Sequence, residues 1–267
     1  MTERGLNPDG TIAREGSLNR VPAAFRQAVD AARQRICAVY RSRLHSAYLY
    51  GSIARGTAIP GVSDLDLMLA LRDEPAAADR AAARAIEQAL DEFFPQVNGV
   101  GIGMASVPVL LSELERHDLG FFIACLCTPL AGDDLGTRLP SYRPTGLLAR
   151  ETNGDLDLVL PDWRARAAEA GTDADRRFLS RAVGRRLVRT GFTLVMPRWA
   201  GWTSSLAESA EIFGGYYPER AEQMRVAATV GRAPSADPAV LDAFLRDLGP
   251  WLAAEYRAVH GVKAPRP

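Results

Sequence analysis

The chain has 267 residues, 47% of them apolar and 24% charged, an ordinary globular balance that suits one large domain or two modest ones. Its 32 Lys and Arg residues are matched by 32 Asp and Glu, and a formal net charge of zero argues against a protein built mainly to grip nucleic acid or an anionic membrane, which need a field of one sign. Lys263 is the only lysine, so chemistry that needs a buried neutral amine has little to draw on, whereas arginine suits planar recognition of carboxylate or phosphate.

Residues 1–20 mix Gly, Asn, Asp and Arg without periodicity and read as a loose arm. From Val21 to Leu44, Phe25, Val29, Ile36, Val39, Tyr40 and Leu44 recur at roughly helical spacing, with Pro22 in the tolerated first-turn position. Ala47–Gly51 is a short strand ending in glycine. Asp64–Leu71 is a second strand, with Leu65, Leu67 and Leu69 on one face and Asp64, Asp66 and Met68 on the other. Residues 75–93 are Ala-rich and helical, 97–107 form a third strand interrupted by glycines, Pro108 ends it, and 109–128 read as a helix. The stretch 131–161, rich in Gly, Asp, Pro and Thr, reads as a linker with short elements. Helices follow at 162–170, 173–195, 203–217, 219–230 and 238–260, with Asp173 and Asp175 at a helix start. The chain thus divides near residue 140 into an α/β half and an all-helical half.

No stretch reaches the roughly 18 apolar residues of a membrane helix, and the polar start MTERGLNPDG lacks the apolar segment of a secretory signal. Cys37, Cys125 and Cys127 show neither disulfide nor zinc-site spacing, and His45, His117 and His260 lie far apart. A cytoplasmic protein with reduced cysteines and no membrane partner is expected.

The chemistry concentrates in YLYGSIARGTAIPGVSDLDLMLAL, Tyr48 to Leu71. Asp64 and Asp66 alternate on one strand face about 7 Å apart, a spacing that lets two carboxylates share a hard divalent cation such as Mg²⁺. Gly51 and Ser52 end the preceding strand, where a glycine lets backbone approach a ligand and the following N–H groups and the Ser52 hydroxyl can cradle phosphate. Arg55 lies in the same turn. Two carboxylates beside a phosphate-binding turn can hold a metal-bound triphosphate.

Gly-Ser, a spacer and then Asp-x-Asp, on a strand–turn–strand preceded by a helix, resembles the signature of the nucleotidyltransferase superfamily with the polymerase-β-like fold. Within it, the small bacterial branch of aminoglycoside nucleotidyltransferases is the most similar in layout. The specific resemblance covers about 25 residues and a looser one the first 140. It implies an α+β fold: a mixed sheet flanked by helices over residues 1–140, catalytic, then an all-α bundle over 141–267 that binds substrate. It further implies Mg²⁺-dependent transfer of an NMP group from an NTP, expected to be ATP, to an acceptor hydroxyl, with release of pyrophosphate. Asp64 and Asp66 would hold the metal, and Gly51, Ser52 and Arg55 the phosphates. Arg181, Arg185 and Arg189, spaced i, i+4, i+8 on one helix face, carry the superfamily's habit of reaching a triphosphate from the helical domain, with Arg185 and Arg189 the nominated pair and surface pairing with acids such as Asp173 or Asp175 the other reading.

The superfamily also supplies a third carboxylate from the next core strand, but 97–107 contains no Asp or Glu. Glu113, Glu115 and Asp118 lie beyond it, and none is nominated as a base. The acceptor stays open among an aminoglycoside, a biosynthetic intermediate and a protein side chain, as in antitoxin-type adenylyltransferases. A polycationic acceptor would want acids, for which Asp155, Asp157, Asp162, Glu208 and Glu211 are available. The alternative is a degenerate protein of this fold that binds nucleotide or a partner without turnover; nucleic-acid modification is disfavoured by the neutral charge. Asp155-Leu156-Asp157 is a second Asp-x-Asp but reads as a turn or helix start. The aromatics Phe192, Trp199, Trp202, Phe213, Tyr216 and Tyr217 read as core between helices.

Overall fold

The apolar repeat beginning at Phe25 forms helix α1 (Ala23–Tyr40), which buries Phe25, Ala28, Val29, Ala32, Ile36 and Tyr40 along one stripe. The computed structural model that provides this structure describes residues 3–266. Arg41, at φ 45°, breaks the helix, and the chain passes through a 3₁₀ turn into strand β1 (Leu44–Tyr50). The short helix α2 (Gly51–Arg55) follows, then β2 (Leu65–Leu71), α3 (Ala77–Phe93) and β3 (Val100–Ser106). With β4 (Thr128–Gly132) these strands form one sheet in the order β3-β2-β1-β4. β1 is antiparallel to β2 and β4, and β2 is parallel to β3, with α3 as the crossover.

Alternation sorts the sheet residues onto two faces. Leu65, Leu67, Leu69 and Leu71 join Ala47 and Leu49 in a buried cluster with the apolar stripe of α1 and with Ile86 and Leu90 of α3. Each such leucine, fully buried, stabilises by about 1.5–3 kcal/mol. The opposite face holds Tyr48, Met68 and Ala70 against Leu110, Ile123, Cys127 and Leu135. β3 is an edge strand, and the Ile102 N–H there donates to the Glu87 carboxylate of α3 at 2.7 Å.

The single helix expected over 109–128 is replaced by α4 (Val107–Leu110), α5 (Leu119–Phe121), a π-helical turn (Phe122–Leu126) and the start of β4. Pro108 sits in the first turn of α4, just after β3 ends at Ser106, and residues 111–118 form turns. β4 carries Pro129, a residue tolerated at a sheet edge but one that hides the strand from a propensity reading.

The chain divides into two compact units, one spanning Ala13–Tyr142 and the other Arg143 onward together with the residues up to Ile12. The described part of the expected loose arm is therefore placed in both. Leu6 and Ile12 form a β-bridge, and the Arg4 carbonyl accepts from the Trp202 N–H at 2.9 Å. Arg14 pairs with Asp134 at 2.7 Å, and the Ser17 N–H donates to the Ala54 carbonyl at 3.0 Å. Apart from the Leu6–Ile12 bridge, these partners lie far off in sequence, where local periodicity carries no signal.

The second unit is helical: α6 (Gly146–Asn153), α7 (Leu156–Glu169), α8 (Asp173–Trp199), α9 (Leu206–Tyr216), α10 (Ala221–Arg232), α11 (Pro238–Ala243) and α12 (Gly249–His260). Much of the expected linker is thus α6 and α7. Thr172 and Asp175 form a capping box that starts α8. α8 lies close to α10: a Cβ on Gly184 would come within 2.8 Å of the Ala227 carbonyl oxygen. Phe192 meets Trp199 and Trp202 edge-on and Phe213 stacks on Tyr217; Phe192, Trp202 and Phe213 are core, and Trp199, Tyr216 and Tyr217 are half-buried at its margin.

Tyr40 ties α1 to α3. Its buried hydroxyl donates to the Asp79 carbonyl at 2.8 Å, and burial, with the Asp79 and Glu87 charges adding, pushes its pKa from 10.0 up to about 12. A raised folded-state value favours the neutral phenol, so this contribution is whole below pH 10 and lost as pH rises through about 12. Tyr40→Phe should cost about 1 kcal/mol at neutral pH. In chemical denaturation the gap between wild type and variant is expected to narrow between pH 10 and pH 12; a gap independent of pH would contradict this.

Candidate active site

Sheet register assembles the site. Asp66 on β2 stands opposite Tyr50 on β1 and opposite Gly101 on β3. Residues paired across a sheet share a face, so Tyr50, Asp66 and Gly101 make one row across three strands. Asp64 precedes β2 and shares that face by alternation; its Oδ1 accepts from the Asn98 Nδ2 at 3.1 Å. The loop before it is laced to the chain before β3. The Gly61 N–H donates to the Gln96 carbonyl, the Asn98 N–H to Ser63 and the Leu65 N–H to Gly99, all between 2.8 and 3.0 Å.

After Tyr50 the chain turns sharply at Gly51, which has φ +80°. The positive φ there favours glycine, and a Cβ would meet Asp66 Oδ2 at 2.7 Å, so a side chain at residue 51 would also displace the tip of that carboxylate. Ser52 opens α2, and its carbonyl accepts from the Thr57 N–H at 3.0 Å. Ile53 and Ala54 are buried and anchor the turn. Gly51, Ser52 and Asp66 are thus brought together, with Asp64 two residues along. Arg55, in the last turn of α2, pairs with Glu15 at 3.5 Å, a partner that the sequence reading did not identify.

Two hard carboxylates on one strand face suit an oxygen-loving divalent cation, which completes its shell with water and phosphate oxygens. Among the described residues no group of three or more His, Cys, Asp or Glu is placed to hold a metal. On β3 the positions that share the Asp66 face are Gly101, Gly103 and Ala105, which gives the missing third carboxylate a structural address.

The other nominated residues belong to the helical unit. The Arg185 Nε donates to the Gly231 carbonyl at 2.9 Å, so part of its guanidinium is committed to α10. Arg189 is exposed, and Arg181 lies two turns before it on α8. The acids offered as their surface partners are engaged elsewhere: Asp173 with Arg176, at 2.8 Å, and Arg177, and Asp175 in the capping box. The second Asp-x-Asp is structural, with Asp155 paired to Arg186 and to Lys263 and Asp157 paired to Arg257. Glu211 pairs with Arg225 at 2.7 Å, Asp162 with Arg166 at 3.9 Å, and Glu208 accepts from the Thr203 hydroxyl at 2.6 Å. Burial pushes the Cys125 thiol up to about 12, and Cys127 rises for the same reason, so neither is a ready nucleophile at neutral pH.

Residues 31–98 match the family model of the nucleotidyltransferase domain, a span that contains Gly51, Ser52, Asp64 and Asp66. Among solved structures, spectinomycin adenyltransferase AAD(9) from Enterococcus faecialis, determined with ATP and spectinomycin, is similar with a TM-score of 0.52. The match covers 86% of this chain and 98% of that one at 12% identity, a likeness of fold. No curated protein sequence matches the chain.

The contact between Gly51 and Asp66 is open to a double-mutant test. Gly61 also has positive φ, +74°, but nothing lies within 4 Å of a Cβ built there. Gly61→Ala should therefore show backbone strain alone, about 1 kcal/mol. Gly51→Ala should cost more, and the excess should disappear in the Asp66→Ala background. Equal costs for the two substitutions in chemical denaturation would contradict the contact.

Proposed function

Because the chain carries a nucleotidyltransferase domain over residues 31–98, we propose that it transfers an NMP group from a nucleoside triphosphate, ATP first among them, to a hydroxyl of a small-molecule acceptor and releases pyrophosphate. The observation that carries this reading is the row in which the Gly51–Ser52 turn abuts the Asp66 carboxylate. Asp64 and Asp66 would hold Mg²⁺, which would supply neutralisation of the phosphate charge and polarisation of the reacting phosphorus. The turn at Gly51 and the Ser52 hydroxyl position the β- and γ-phosphates. Arg55 contributes a positive charge to the same turn when it is released from Glu15. From the helical unit, Arg185 and Arg189 are the nominated further phosphate contacts. Catalysis then rests on positioning and on electrostatic stabilisation, without a covalent intermediate on the protein.

The acceptor is proposed to be an aminoglycoside or a biosynthetic intermediate. The neighbouring structure was determined with spectinomycin bound to that protein, which makes spectinomycin a first probe. The helical half is proposed as the substrate-binding domain and the cytoplasm as the compartment; no helix among the described residues is long and apolar enough to cross a membrane.

A second reading, nucleotide binding without turnover, is favoured by one observation, the glycines on the Asp66 face of β3. Calorimetric titration of ATP with and without Mg²⁺, paired with a pyrophosphate-release assay, separates the two. The enzyme reading expects Mg²⁺-dependent pyrophosphate release that the double variant Asp64→Asn, Asp66→Asn lowers by at least about 10²–10³-fold while the fold persists. Unchanged release in that variant would reject the site.

A further inference from the structure

The helical unit contains a groove whose lining shares no residue with the Gly51–Asp66 site or with the Arg185 and Arg189 pair. It has a volume of about 980 Å³ and lies between the end of α7, the first turn of α8, α11 and the π-helical turn Phe244–Leu248. Small-molecule sites commonly measure roughly 300–1,000 Å³. The apolar lining comes from Ala167, Ala168 and Ala170 on one side and from Pro238, Leu241 and Leu245 on the other. The charged lining is Arg164, Arg176 and Arg246 against a single acid, Asp242.

Hydrogen bonds fix the walls. The Arg164 Nε and Nη2 both donate to the Leu245 carbonyl, at 3.1 and 2.9 Å, and tie α7 to the π-helical turn. The Arg176 Nη1 donates to the Ala170 carbonyl at 3.0 Å and ties α8 to the end of α7. The fully buried Ser180 hydroxyl donates to the Ser235 carbonyl at 2.8 Å and accepts from the Ser235 N–H at 3.1 Å, which holds the loop that leads into α11. The groove is thus preformed, and π-helical turns such as the one in its wall are rare and frequent at functional sites.

The arginines are incompletely answered. Among the described residues no acid pairs with Arg164, whose bonds go to a carbonyl. The Arg176 Nη2 donates to Asp173 at 2.8 Å, but its Nε is buried with no hydrogen-bond partner among the described residues. Arg246 pairs with Asp242 and stays exposed. Asp173 also pairs with Arg177, so counting both of these neighbours leaves the positive excess unchanged. Guanidinium groups recognise carboxylate and phosphate with directed hydrogen bonds, and the alanine and leucine surface beside them favours apolar matter. Eleven residues line the groove, against about 20–30 a side in a stable protein interface, which favours a small ligand over a folded partner. We propose that the groove binds a small amphiphilic anion, with an apolar chain against Leu241, Leu245 and the α7 alanines and a carboxylate or phosphate head among the three arginines.

Calorimetric titration of the full chain with octanoate, octyl phosphate, octan-1-ol and octyltrimethylammonium, each below its micellar concentration, tests this. At least one anion is expected to bind at one site per chain, about tenfold or more tightly than the alcohol and the cation; octanoate against octyl phosphate identifies the head group. Ala168→Phe, at an exposed position of α7, fills the groove and should weaken the anion about tenfold or more, with the unfolding midpoint near wild type. Arg246→Glu reverses a charge on an exposed side chain and should bring the anion to within about threefold of the alcohol; Arg246→Gln is expected to narrow the gap as well, should the Glu variant not fold. No saturable binding of either anion by the wild type, binding no tighter than that of the alcohol, or undiminished binding in the folded variants would overturn the proposal. Binding of an acidic amphipathic peptide by a chain that takes neither anion would overturn it too, in favour of a protein partner.

Discussion

The close approach of the Gly51 backbone to the Asp66 carboxylate is the constraint on which the site depends. Strand β1 must stop at Tyr50, reverse at a positive φ and start α2 within one residue, all against a side chain projecting from β2. A Cβ at residue 51 would come within 2.7 Å of Asp66 Oδ2 and push that carboxylate from its position. The two elements of the motif, thirteen residues apart from Gly51 to Asp64, are therefore parts of one contact, and the surrounding fold holds that contact in place. Buried leucines pin β2 to α1 and α3 from below, and Ile53 and Ala54 pin α2.

That arrangement also explains why the acids of the chain divide into two kinds. Asp155, Asp157, Asp162 and Glu211 sit in ion pairs within the helical unit. The exposed ones, Asp162–Arg166 and Glu211–Arg225, are each worth about 0–1 kcal/mol, so they set local geometry more than stability. Asp64 and Asp66 instead occupy a strand end where glycines clear the adjacent space. The near absence of lysine acquires a local meaning too, since the lone Lys263 is tied to Asp155 and arginine carries the remaining cationic contacts.

Much of this was legible in the sequence, and the limits are physical. The period-two pattern of Asp64–Leu71 identifies both the strand and its two faces, and α1 and α3 follow from their apolar stripes. β4 was hidden because Thr128-Pro129-Leu130 lacks alternation and its pairing is with a strand some eighty residues earlier. The ties of Arg14 to Asp134 and of Arg55 to Glu15 were hidden for the same reason of distance. The Gly-x-Gly-x-Gly run from Gly99 did carry a readable signal, alternation onto one face, but only the register with β2 reveals that the face is that of Asp66.

A crystal structure of the protein with Mn²⁺ and a non-hydrolysable ATP analogue, with anomalous diffraction locating the metal, tests the central claim most directly. The account predicts a metal in contact with the carboxylates of both Asp64 and Asp66, with the triphosphate seated on the turn that begins at Gly51. A metal–nucleotide complex bound elsewhere on the chain, with those two carboxylates out of its coordination shell, would contradict it.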